Sequence, residues 1–136
     1  MKTKLLTPSL SVIMIAVLVA GFNIGKQKDP WPVPDKYVKM ANPVKSDAES
    51  MKTGKAVWAK HCQSCHGKSG AGDGPKAAQL KTEAGNFTTA EFQKQTDGAV
   101  FYKTSEGRED MPSFKKKIPD ADEIWSVINY VRTMKK

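Results

Sequence analysis

A chain of 136 residues with a formal charge of +8 is long enough for one small domain with appendages and too short for several. Its lysines are scattered and Arg108 and Arg132 are its only arginines, so the arginine cluster of a nucleic-acid binder is missing. The excess of positive charge suits acidic protein partners instead.

Lys2 and Lys4 precede an uncharged stretch over residues 5–25, almost purely apolar from 10 to 20. A segment of this length reads as an export signal or a single transmembrane helix. Leu18 is a poor residue three positions before a cut after Ala20, although Val19 tolerates a cut after Gly21. The reading therefore leans to an uncleaved anchor over residues 1–25. The two lysines would hold the N-terminus in the cytoplasm. The rest of the chain would then lie on the periplasmic side of the bacterial cytoplasmic membrane, or be soluble there if the leader is cut.

Residues 26–46 read as an extended linker, because Pro30, Pro32, Pro34 and Pro43 forbid a continuous helix. Trp31, Tyr37 and Met40 are unusual in a plain spacer. They are expected to pack loosely on the domain or on lipid headgroups, with a docking strip for a partner subunit as the alternative.

The folded unit is expected over residues 47–136 and is all-α. Ser46, Asp47 and Glu49 make a capping box that starts a helix at Asp47. Ala48, Met51, Lys55, Trp58 and Cys62 recur at helical spacing and predict one buried stripe. Gly67, Gly70, Gly72, Gly74 and Pro75 demand a loop. Thr88 with Glu91, and Asp97 before an apolar run, open two short helices, with Gly107 as a stop. Asp120 and Glu123 cap a last helix whose Ile124, Val127, Ile128 and Val131 share a face. Lys135 and Lys136 suit its C-terminal dipole.

Both cysteines lie in Cys62-Gln63-Ser64-Cys65-His66, the C-x-x-C-H pattern of c-type haem attachment. Positions i, i+3 and i+4 share one side of a helix, so two thiols can form thioethers to one porphyrin while the imidazole binds its iron. A redox-active dithiol needs a strand before the motif, and none is predicted. A zinc site needs further ligands, and His61 is too close in sequence to complete a tetrahedron. One covalent haem c is therefore the expected cofactor. It would also supply apolar surface that about 90 residues lack, so the domain without haem should be largely disordered.

His66 leaves one axial position open. His61 sits on the attachment helix and should face solvent. Met111, in a loop stiffened by Pro112 and 45 residues beyond His66, is the candidate sixth ligand. A thioether favours ferrous iron and raises the reduction potential relative to a second histidine.

These features, in this order, resemble the small bacterial class I cytochromes c. The resemblance covers about 90 residues and rests on the attachment motif, the Gly70–Pro75 loop, Gly107-Arg108 and Met111-Pro112, and Gly54, Trp58 and Tyr130. It implies Met111 as sixth ligand and a carbonyl from Pro75 on the proximal imidazole. It implies close helix crossing at Gly54, and a helical fold wrapped around one haem.

The expected function is electron transfer, with no enzymatic activity, between redox partners outside the cytoplasmic membrane. The exit point would be the haem edge near the attachment loop. Lys60, Lys68, Lys76 and above all Lys115, Lys116 and Lys117 would steer acidic partners. One alternative is a haem-bearing subunit of a larger respiratory complex. Another is a gas-binding or enzymatic haem protein, although a chain with two histidines has no third to act as distal catalyst.

Overall fold

The computed structural model describes residues 30–136. The expected anchor over residues 1–25 lies outside that span. Among the described residues no helix is long and apolar enough to cross a membrane.

Among the described residues six α-helices follow in order: α1 (Asp35–Val38), α2 (Ala48–Val57), α3 (Gln63–His66), α4 (Ala90–Gln93), α5 (Asp97–Glu106) and α6 (Ala121–Arg132). A π-helical turn, Trp58–Cys62, joins α2 to α3, and a short 3-10 turn spans Ala77–Gln79. Among the described residues the only β pairing is an isolated bridge between Arg108 and Met111.

Local chemistry sets the helix ends. Asp47, rather than Ser46, caps α2: its carboxylate accepts from the Ser50 amide at 3.0 Å, and the Ser50 hydroxyl accepts from the Asp47 amide. The Ser50 amide holds the Asp47 carboxyl below its ordinary pKa. Thr96 caps α5, and Gly107 ends it at a φ of +70°. Asp120 caps α6. Its end is tied by Arg132, whose guanidinium meets Asp97 at 2.7 Å and the Gln95 carbonyl at 2.7 Å.

The core lies where α2 crosses α6. A Cβ on Gly54 would stand 2.1 Å from the Ser126 carbonyl oxygen, so the helix backbones meet with nothing between them. Val57, Trp58, Ile124, Val127, Ile128 and Val131 are buried around this crossing, with Phe114 and Ile118 from the loop before α6. Of the expected α2 stripe, Ala48 and Lys55 are exposed, and the buried positions are Ser50, Gly54, Val57 and Trp58. The packed face is set by the Gly54 contact, which no apolar residue marks.

Residues 31–44 form a strap over α5 and α6. The Trp31 indole lies under the Arg108 guanidinium, 4.6 Å from its ring centre, and Tyr37 packs on Tyr102 with ring centres 4.8 Å apart. Asn42 donates to the Trp125 carbonyl and to the Asn129 side chain, and Asn129 donates to the Val44 carbonyl. The strap therefore covers a second side of α6, at Trp125 and Asn129, which are buried in addition to the predicted apolar stripe.

Candidate functional site

The attachment motif is built by a change of helical pitch. In the π-helical turn the Gln63 amide reaches the Trp58 carbonyl five residues back. Such turns rotate the side chains that follow them and are frequent at functional sites. Here Trp58 points into the core at 2% exposure, while Cys62, Cys65 and His66 are half-buried. Gly67, with a φ of +81°, ends the run directly after His66.

Burial, and then the neighbouring Cys65, push the Cys62 thiol up to about 12. A thiol that stays protonated near neutral pH is a poor exchange nucleophile, which counts against a dithiol redox site. Among the described residues no group of three or more His, Cys, Asp or Glu side chains could hold a metal ion.

On the proximal side the Nδ1 atom of His66 lies 3.4 Å from the Gly85 carbonyl. A proton on Nδ1 fixes the tautomer in which Nε2 is the atom that can bind a metal. The resemblance assigned this role to Pro75, which here is exposed. The amides on either side of it turn back instead onto the attachment helix, Gly74 to the Cys65 carbonyl and Lys76 to that of Ser64. Gly85 arrives from a later segment, held by the Phe87 amide on the Gly70 carbonyl at 2.7 Å. A backbone acceptor has no residue-type signal, so sequence reasoning missed it. Phe87 also stacks on the His66 ring with centres 4.5 Å apart, and the Trp58 ring centre is 6.0 Å from it.

Met111 is half-buried against the core in a tight turn. The Arg108 amide donates to the Met111 carbonyl at 2.8 Å and the Met111 amide to that of Arg108 at 2.9 Å. Glu109 takes a left-handed φ of +53°, uncommon for a side chain of its size. The Asp110 carboxylate accepts from the amides of Lys81 and Thr82 and from the Thr82 hydroxyl. The Thr82 amide first, and then that of Lys81, hold its carboxyl below the ordinary value. His61 is half-buried, edge-on to Phe114, and burial lowers its pKa.

The residues present fit a haem. Two cysteines and a histidine at i, i+3 and i+4 are the donor set that covalent attachment requires. Beside them the indole N–H of Trp58 is buried with no hydrogen-bond partner, an arrangement that costs free energy unless a further group supplies an acceptor. A haem carries two carboxylates.

Residues 49–131 match the family model described as cytochrome c oxidase, cbb3-type, subunit III. No curated protein matches the sequence. Among solved structures, the chain is similar to the Kuenenia stuttgartiensis reducing HAO-like protein complex Kustc0457/Kustc0458, at 28% identity and a TM-score of 0.63 over 79% of this chain. It spans 51%, about half, of that relative's chain. It is also similar to the KustC0563 c-type cytochrome, at 27% identity and a TM-score of 0.52, over 61% of this chain and 98% of the other.

Proposed function

The chain belongs to the family of cytochrome c oxidase, cbb3-type, subunit III, and from that membership we propose that it relays electrons through one haem iron held by His66 and Met111. It is a c-type cytochrome, an electron-transfer haem protein, with haem c bound covalently through Cys62 and Cys65. The bound haem supplies a one-electron couple at its iron. The chain's own residues hold the ligands still, shield the porphyrin and present a surface to partners. The role is that of a carrier, with no catalytic residue.

The observation that carries the ligand assignment is the turn around Met111. Hydrogen bonds in both directions close it, and Asp110 anchors it to a second loop. A thioether held this firmly keeps the coordination shell alike in both oxidation states, so little reorganisation accompanies transfer.

The partners are redox proteins with acidic docking surfaces, met on the periplasmic side of the cytoplasmic membrane, with residues 1–25 as the anchor. Lys116 and Lys117 are exposed close in sequence to Met111, and Lys115 is exposed in an ion pair with Glu106. The reaction to measure is electron exchange between the reduced holoprotein and an acidic redox protein, by stopped flow at rising ionic strength. The second-order rate should fall several-fold between about 0.01 and 0.15 M salt, as the screening length shrinks from about 30 to 8 Å. A rate indifferent to salt would remove the basic surface from the account.

A second reading, a haem-bearing subunit of a larger redox complex, draws on the similarity to the Kustc0457/Kustc0458 complex. The chemistry at the iron would be the same.

A further inference from the structure

We propose that Asp110 is a positioning residue that holds the Met111 turn in register with the loop whose Gly85 carbonyl faces the His66 imidazole. The inference rests on the reading of His66 and Met111 as the axial ligands. Asp110 directly precedes Met111 in the closed turn, and its side chain leaves that turn. One oxygen, Oδ2, accepts from the Lys81 amide at 2.7 Å, the Thr82 amide at 3.0 Å and the Thr82 hydroxyl at 3.2 Å. Thr82 stands three residues before Gly85, whose carbonyl faces the proximal imidazole.

The segment 80–86 has no helix or strand of its own to satisfy its amides. Its hold on the rest of the domain at Lys81 and Thr82 is this single carboxylate. Its other end is tied by the Phe87 amide on the Gly70 carbonyl. A shift at Thr82 must therefore be absorbed within four residues that include Gly85. On the Met111 side, the turn is already closed on itself and flanked by Trp31 over Arg108. Asp110 makes the link between these two pieces, a charge-assisted contact made three times over.

The test uses the matured holoprotein and three variants, with haem content and helical circular dichroism recorded for each. The readouts are the near-infrared band of methionine-ligated ferric haem, the midpoint potential, and carbon monoxide binding to the ferrous form. Wild type must show the band; its absence there overturns the Met111 assignment itself and leaves nothing for Asp110 to position. With the band present in wild type, Asp110→Ala should lose most of it, lower the potential and bind carbon monoxide at least about tenfold faster, because the loss of three hydrogen bonds raises the open population. Asp110→Asn, which keeps an acceptor oxygen, should fall between the two. Thr82→Val deletes the hydroxyl bond alone and should move the same readouts in the same direction by less. Wild-type values in Thr82→Val and in whichever Asp110 variant matures would overturn the role.

Discussion

Replacing Gly54 with alanine should cost the holoprotein about 3 kcal/mol or more of stability, at the upper end of what overpacking does to a well-packed core. The added methyl would meet the Ser126 carbonyl oxygen at 2.1 Å, its carbon at 2.7 Å and Tyr130 Cβ at 2.9 Å. The first two are backbone atoms of a buried helix and the third is fixed to one. None can swing aside, so α2 and α6 must separate. Trp58, 6.3 Å from Tyr130 between ring centres, would lose its packing. Through Trp58 the strain reaches the turn that presents Cys62. Domains of this size are typically stable by only about 5–15 kcal/mol, so the loss is a large share of the total. Denaturant midpoints at equal slope would measure it. A Gly54→Ala protein that unfolds at the wild-type midpoint would mean that the two helices do not cross at this residue.

Met111→Ala should convert a closed iron site into an open one. The thioether is the soft, neutral ligand that favours ferrous iron, so its removal should lower the midpoint potential. The near-infrared band of the ferric protein should vanish, and the ferrous protein should bind carbon monoxide rapidly and in equal stoichiometry. The wild type should bind it slowly or not at all, which separates an electron carrier from a gas-binding protein. The helices should be largely unaffected, because the turn around Met111 is held by backbone atoms and by Asp110. Survival of the band in Met111→Ala would hand the sixth position to another residue.

The attachment motif, the last helix and the α5 stop at Gly107 were legible in the sequence, because each depends on residue type at fixed spacing, while the crossing at Gly54 came with the family resemblance. The strap was not legible. Its prolines announce extended backbone, but what holds it down is Asn42 donating to the Trp125 carbonyl and to the Asn129 side-chain oxygen of α6, and such contacts leave no periodic trace. For the same reason Trp125 and Asn129 escaped the helical stripe: they are buried by a second layer that the α6 sequence does not encode.

The stripe predicted for α2 lost register because Gly54 at its centre has no side chain to count. Gly85 and Asp110 were missed for a related reason. One contributes only a carbonyl, and the other reads as an ordinary exposed turn acid until Lys81 and Thr82 are seen against it.

The most direct measurement is the intact mass of protein from a host able to mature c-type haem, taken with its absorption spectrum from the visible to the near-infrared. One haem should be added to the polypeptide mass, resistant to acid extraction, together with the band of methionine ligation in the ferric state. Colourless protein at the mass of the bare polypeptide would contradict haem attachment.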